Sequence, residues 1–359
     1  MLNQTVDNLT PLLSLLRQPA FCLRPDGSLV CNAWAKELAP AGRQALSAWL
    51  GSSAPLWDSW DRESVLHLSL ACNGTEFEVS VEALTDGSLF LLTPRNGPEA
   101  ADAALSAASQ VLRQPLADLA ALLQPLAEDP DLSSRTAAMT RQVYRLTRIA
   151  GNLADLERLR QSDCQPRLQL LDLNAFLTPL LQEVESLCGS AGRTLTFALP
   201  AKTVLLQADP QLVERALLNL VSNALKFSMP DTPIVFQVRT TQTHVLLQVQ
   251  NRCSTGSAEL LQSAFHRLEQ RSQLPDPRWG VGLGLPLAQA IAKLHGGAVA
   301  VEATRSGLAT VTLSLDRRRP LQAPLLEAPP PFEYTGGMRR TLVELSDSLP
   351  NRLFQHHAL

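Results

Sequence analysis

The sequence is poor in aromatic residues, at 5% of the total. It holds no Cys-x-x-Cys pair, no long apolar run and no excess of basic charge. Each shortage excludes something. No apolar stretch reaches the roughly 18 residues of a membrane-crossing helix, so no membrane span is expected. The first residues lack the basic start and apolar core of a signal peptide. Six cysteines, Cys22, Cys31, Cys72, Cys164, Cys188 and Cys253, are scattered without metal-ligand spacing. They read as reduced thiols, which suits a cytoplasmic protein. The 31 basic and 34 acidic side chains leave a net charge of −3. That balance argues against a nucleic-acid partner held on a broadly basic surface.

What is present is core material. The 359 residues are 45% hydrophobic, enough for two or three domains, and show no internal repeat. Residues 1–18 pattern as a helix through Leu9, Leu12, Leu13 and Leu16. Pro25-Asp26-Gly27 reads as a turn and 33–38 as helical. Strand-like alternation follows over 65–71, 75–83 and 88–93, with Asn73-Gly74 and Asp86-Gly87 between the runs as hairpin turns. A small α+β domain is expected over 1–95.

Beyond Asn96-Gly97-Pro98 come two helical stripes. Leu105, Leu112, Leu116, Leu119, Leu123 and Leu126 form the first, ending near 128. Met139, Val143, Leu146, Ile149, Leu153, Leu156 and Leu159 form the second, from Ser133 to about 161. A helical hairpin over 99–162 buries its stripes poorly alone. Two copies would close a four-helix bundle, so a homodimer is expected.

Residues 166–316 alternate differently. Asp172 and Asp209 are placed to cap helices over 173–188 and 210–227. Strands are expected at 194–198, 204–208, 234–240, 243–250, 298–303 and 309–315, with a helix at 258–268. That pattern makes a two-layer α/β sandwich, and the whole chain a multidomain α+β protein. From 317 to 359 the chain is a basic, Pro-rich tail, with Arg317-Arg318-Arg319-Pro320 and Pro329-Pro330-Pro331. A short helix at 338–346 reads as a frayed end more than as a docked one.

Two stretches carry chemistry. Gly280, Gly282 and Gly284 alternate with larger residues, and a helix follows through Leu283, Leu287, Ile291 and Leu294. It stops at His295-Gly296-Gly297. Glycines let the backbone approach a ligand, and a helix N-terminus attracts phosphate. The spacing is neither a Rossmann fingerprint nor a P-loop, and a tight loop capping a packed helix would give the same pattern. In the second stretch Asn219 and Asn223 lie four apart on one helix face, with Lys226 one turn on. Carboxamide oxygens suit a Mg²⁺–phosphate site. Surface asparagines on a solvated helix would show the same spacing.

Together these stretches resemble the ATP-binding domain of sensor histidine kinases, in the fold family shared with gyrase and Hsp90. Asn219-Leu-Val-Ser-Asn223-Ala-Leu-Lys226-Phe227-Ser228 is similar to the family's N box. Residues 259–265 with Arg267-Leu268 are similar to the F box, and Gly280-Val-Gly-Leu-Gly-Leu285 continuing to Gly297 to the G2 box. The resemblance implies ATP and Mg²⁺ as cofactors. It implies Asn223 on Mg²⁺, Asn219 beside it and Lys226 on phosphate. Gly280, Gly282, Leu283 and Gly284 would cover the triphosphate, with 269–277 as a lid. Phe21-x-x-x-Pro25-Asp26-Gly27-x-Leu29-x-x-Asn32 resembles a PAS-type sensor domain.

Two departures limit the carry-over. The family reads adenine with Asp-x-Gly-x-Gly, where this chain has Asn251-Arg252-Cys253-Ser254-Thr255. The Asn251 carbonyl still accepts a hydrogen bond from an amino group but lacks the aspartate's charge. The family's phosphoacceptor pattern is Ser-His-Glu-Leu-Arg-Thr-Pro-Leu, and here it reads Ser109-Gln110-Val111-Leu112-Arg113-Gln114-Pro115-Leu116. Gln110 occupies the acceptor position, and a carboxamide is not nucleophilic at neutral pH. None of the six histidines lies on either hairpin helix.

The expectation is therefore a histidine-kinase-like signalling protein that has lost autophosphorylation and acts as an ATP-dependent conformational switch. A response regulator or partner kinase is the expected partner. Two alternatives are a kinase phosphorylating a partner in trans and a nucleotide-independent scaffold for a response regulator.

Overall fold

The computed structural model describes residues 9–85, 87–94, 133–160, 164–253, 283–304, 306–318 and 338–355, with 119, 123, 325 and 326. Several expectations lie outside the described residues: the phosphoacceptor stretch with Gln110, the helix at 258–268, the segment 269–277, and Gly280 and Gly282.

The N-terminal elements are α1 (Leu9–Leu15), β1 (Ala20–Leu23), β2 (Leu29–Cys31), α2 (Arg43–Leu50), α3 (Ala54–Ser59), β3 (Val65–Cys72), β4 (Thr75–Leu84) and β5 (Gly87–Pro94). Their strands run in the order β2-β1-β5-β4-β3, antiparallel throughout. Asn73 and Gly74 both take positive φ, at 50° and 79°, as a two-residue hairpin turn between twisted strands demands. The helix expected at 33–38 is instead a run of turns. Its backbone closes in turns, Ala35 N to Asn32 O and Leu38 N to Ala35 O, and the buried Asn32 Oδ1 accepts from Ala35 N at 3.0 Å and Ala20 N at 3.1 Å. Its Nδ2 donates to the carbonyls of Leu13 and Gln18. These bonds tie the turns to α1 and β1. Phe21 stacks on Phe90 at 4.5 Å between centroids, with Trp49 edge-on to both. Trp49 and Trp57 come from α2 and α3, which the sequence pattern did not announce.

The second body has a helical layer of α5 (Leu173–Ser190), α6 (Pro210–Phe227) and α7 (Gly284–Leu294), with α4 (Ser133–Arg160) packed on α7. Beneath it lie β7 (Leu195–Ala198), β9 (Ile234–Thr240), β10 (His244–Arg252), β11 (Val299–Ala303) and β12 (Leu308–Asp316). Asp172 and Asp209 cap α5 and α6 as expected, each carboxylate accepting two backbone N–H groups. Such a cap stabilises a helix by about 1 kcal/mol. A small second sheet joins β6 (Gln169–Asp172) and β8 (Leu205–Ala208) to β13 (Leu325–Leu326).

The two bodies share one sheet. β11 pairs antiparallel with β3, Val301 opposite His67, and the joined sheet of described strands runs β2-β1-β5-β4-β3-β11-β12-β10-β9-β7. Leu246, Ala298 and Ala300 are buried in the N-terminal core.

The hairpin stripe on α4 is divided. Val143, Leu156 and Leu159 are buried in the chain, while Met139 and Leu146 are 56% and 46% exposed. Tyr144 and Arg148 are buried in their place, because α4 turns that side toward α7 and the C-terminal residues. The tail also departs from expectation. Residues 340–345 form α8 (Arg340–Leu345), and all six side chains are buried. Leu342, Val343, Leu345, Leu349 and Phe354 enter the core of the second body. The apolar gain and the ion pairs described below outweigh the fraying expected of a chain end.

Candidate nucleotide site

α6 sets the geometry. Asp209 and Pro210 start it, and leucines and alanines bury most of its circumference. Asn219 is fully buried. Its Oδ1 accepts from Arg148 Nη2 at 3.1 Å, and its Nδ2 donates to the Arg215 carbonyl at 2.9 Å. Asn223, one turn on, is half-buried.

Gly284 opens α7 directly against these two carboxamides. A Cβ added there would stand 3.0 Å from Asn219 Oδ1 and 3.4 Å from Asn223 Nδ2. A side chain at 284 would crowd both carboxamides, which gives this glycine a steric reason. Leu283 beside it is buried. The far end of α7 is held by His295, whose Nε2 accepts from Asp209 N at 3.0 Å and whose Nδ1 faces the Ile291 carbonyl at 2.8 Å. A backbone N–H can only donate, so Nε2 is the acceptor nitrogen and the imidazole is neutral. The two helices are thus tied at the ends remote from the asparagines. His295 is a structural residue whose role the sequence did not reveal.

Asn251 lies buried near the end of β10, and its Nδ2 donates to Cys253 Sγ at 3.1 Å. That contact leaves its carbonyl oxygen as the other hydrogen-bonding group of the amide. Burial raises the Cys253 thiol above its ordinary value despite the bond from Asn251. Cys253 bridges to Ser228 at the end of α6, so Asn251 and the asparagine helix are joined at one corner.

Lys226 points to an anion of the chain itself. Its Nζ lies 3.0 Å from Asp347 Oδ2. Arg148 Nη1 reaches the same oxygen at 2.9 Å, and Arg145 Nε reaches Oδ1 at 2.9 Å. Arg148 and Arg215 share the buried Glu344, at 3.4 and 3.3 Å. Burial would raise the Asp347 carboxyl, but Arg148 and Lys226, with hydrogen bonds from Lys226 and Arg145, bring it down to about 2. Burial lowers Lys226, with Arg148 and Arg145 adding to the effect and Asp347 opposing it. Motif spacing singles out Asn219, Asn223 and Lys226, and it carries no signal for Arg145, Arg148 or Asp347. Among the described residues, no group of three or more His, Cys, Asp or Glu side chains is arranged to hold a metal ion.

A family profile described as "Histidine kinase-, DNA gyrase B-, and HSP90-like ATPase" matches residues 208–319. This part of the chain belongs to that ATPase family. The matched stretch starts one residue before the Asp209 cap and takes in α6, β9 to β12 and α7. The chain is also similar to the sensor protein KdpD of Escherichia coli, 30% identical over 206 residues, covering 55% of this chain and 22% of KdpD. It is 31% identical over 196 residues to the sensor histidine kinase ZraS of Klebsiella oxytoca, covering 53% of this chain and 40% of ZraS. The chain thus spans less than half the length of these relatives. A crystal structure of full-length ShkA in complex with AMPPNP aligns with 60% of this chain and 45% of its own, at 19% identity and a TM-score of 0.47. Within the matched stretch Asn219 and Asn223 lie on α6 and Gly284 starts α7.

Proposed function

We propose that the ATPase domain binds ATP with Mg²⁺ between α6 and α7, and that the protein uses this binding as a conformational switch in signal transduction. The observation that carries the reading is the convergence of Asn219, Asn223 and Gly284, where the glycine backbone comes so close to both carboxamides that a Cβ would stand 3.0 Å from Asn219 Oδ1. Mg²⁺ usually takes one or two protein oxygens and completes its shell with phosphate and water. Asn223, half-buried and so partly open to solvent, fits as its one protein ligand. When bound, the ion would neutralise phosphate charge. Lys226 would hold phosphate and Asn219 would brace Asn223. The backbone at Gly280, Gly282, Leu283 and Gly284 would cover the phosphate chain. Asn251 would accept from the adenine amino group through its carbonyl oxygen.

Autophosphorylation is absent in this reading, because Gln110 stands at the acceptor position and offers no nucleophile. The N-terminal domain would sense a signal as a PAS-type module, which its β2-β1-β5-β4-β3 order supports. The hairpin would form a cytoplasmic homodimer through a four-helix bundle, and the exposed Met139 and Leu146, seven apart on α4, supply apolar surface for it. The output would reach a response regulator or a partner kinase. Incubation with radiolabelled ATP tests the distinctive part. Retained nucleotide without covalent label in the chain is expected; acid-labile label on the chain would refute the switch reading.

A further inference from the structure

The residues after 337 supply anions to the site they cover. Asp347 receives Lys226, Arg145 and Arg148, and Glu344 receives Arg148 and Arg215. Arg215 also pairs with Asp155. Leaving aside the exposed Arg158, which also pairs with Asp155, this cluster counts four cations, Arg145, Arg148, Arg215 and Lys226, against three carboxylates, Asp155, Glu344 and Asp347, a balance of +1. Two of those carboxylates come from 338–355. Without them the same ground would stand at +3. A half-buried surplus of that size attracts anions, since charges interact more strongly where water is scarce.

The C-terminal residues lie along one side of α6. Arg340 donates to the Gln211 carbonyl and pairs with Glu214, Ser348 Oγ donates to the Ser222 carbonyl, and Asp347 reaches Lys226. This line runs next to the Asn219 and Asn223 stripe and meets it at Lys226. The other end of the contact is α4. Arg141 donates to the carbonyls of Ser346 and Asp347 at 2.8 and 2.9 Å, and Arg145 and Arg148 join it from successive turns. Residues 338–355 therefore clamp α4 to α6.

We propose that Asp347 is a built-in rival of the nucleotide phosphate for Lys226, so that nucleotide binding and docking of residues 338–355 exclude each other. The inference rests on the nucleotide reading of Lys226 given above. A carboxylate and a phosphate offer the same kind of oxygen to an ammonium group, and one Nζ cannot hold both at full strength. Phosphate arriving at Lys226 removes one of three cations from Asp347. The loss weakens the clamp where it joins α6, and α4 becomes free to reorient on the ATPase domain. Occupancy of the site is thereby transmitted to the second hairpin helix.

The test uses the full chain with MgATP as the probe. Asp347→Asn keeps the shape and removes the charge. It should bind MgATP about tenfold more tightly than the wild type, equivalent to about 1.4 kcal/mol. In the wild type, saturating MgATP should strip amide-exchange protection from 340–349, a readout that needs no variant to fold. Equal affinity in Asp347→Asn, or protection that is unchanged at saturation, would overturn the inference and leave the nucleotide site standing. No binding by either protein would overturn the nucleotide reading, and the inference with it.

Discussion

Lys226 Nζ and Asp347 Oδ2 lie 3.0 Å apart across 121 residues of sequence. The contact ties the end of α6 to a C-terminal segment that the sequence presents as a frayed tail. It also gives the fold a defined acid sensitivity. Asp347 is held at about 2, below its ordinary 3.8. A depressed carboxylate adds stability above its unfolded value, and that stability is lost as the pH falls through the folded value. Chemical unfolding of the wild type should lose on the order of 2 kcal/mol more than Asp347→Asn between pH 4 and pH 2. Parallel curves for the two proteins would show that the tie contributes nothing.

Glu344 should matter more at neutral pH. It is fully buried between Arg148 and Arg215. Removing one partner from a buried ionic group leaves the others uncompensated, at a cost of about 3–5 kcal/mol. Glu344→Leu should lower the urea midpoint by a corresponding amount. Asp316→Asn, which loses a pair with the exposed Arg318, should leave the midpoint nearly unchanged.

The seam between the two bodies has the opposite pH dependence. Glu302 on β11 sits opposite Leu66 of β3, with Ser64 Oγ 3.4 Å from Oε2. Burial, and then the charge of Asp61, push its carboxyl up to about 7. A carboxyl raised above its unfolded value of 4.5 binds its proton more tightly in the folded state, so stability falls as pH rises from about 4.5 to about 7. Glu302→Gln should therefore raise the Tm at pH 8 and leave it nearly unchanged at pH 4.5. A thermal scan at the two values checks this, and an equal shift at both would refute the assignment.

Gly284 predicts a separation of folding from binding. In Gly284→Ala the new methyl meets Asn219 Oδ1 at 3.0 Å and Asn223 Nδ2 at 3.4 Å. Alanine suits a helix better than glycine does, so the Tm should hold within a few degrees. MgATP affinity should fall by about tenfold, or about 1.4 kcal/mol, as the carboxamides are displaced. Dye-monitored melting and a nucleotide titration on one preparation measure both.

Much of this fold was legible because its signals are local. Asp172 and Asp209 stand at helix starts and cap them, and Asn73-Gly74 turns its hairpin with two positive φ values. Asn219, Asn223 and Gly284 were legible as motif positions, and the structure brings all three together. The missed features depend on partners far along the chain. Residues 33–38 carry helical composition but form turns, and the Asn32 amide beside them bonds Leu13, Gln18 and Ala20, partners outside the segment. α8 mixes Arg340, Thr341 and Glu344 with three apolar residues, and the partners that satisfy the polar three, Glu214, Glu183, Arg148 and Arg215, all lie far back along the chain. The pairing of β3 with β11 leaves no mark in either strand's own pattern.

A calorimetric titration of the full chain with ATP, with and without Mg²⁺, on the wild type and on Asn223→Ala bears most directly on the nucleotide site. The wild type should bind saturably and more tightly with Mg²⁺, and Asn223→Ala should lose about tenfold or more of the Mg²⁺-dependent part. No binding by the wild type at millimolar ATP, or identical Mg²⁺-dependent binding by the two proteins, would contradict it.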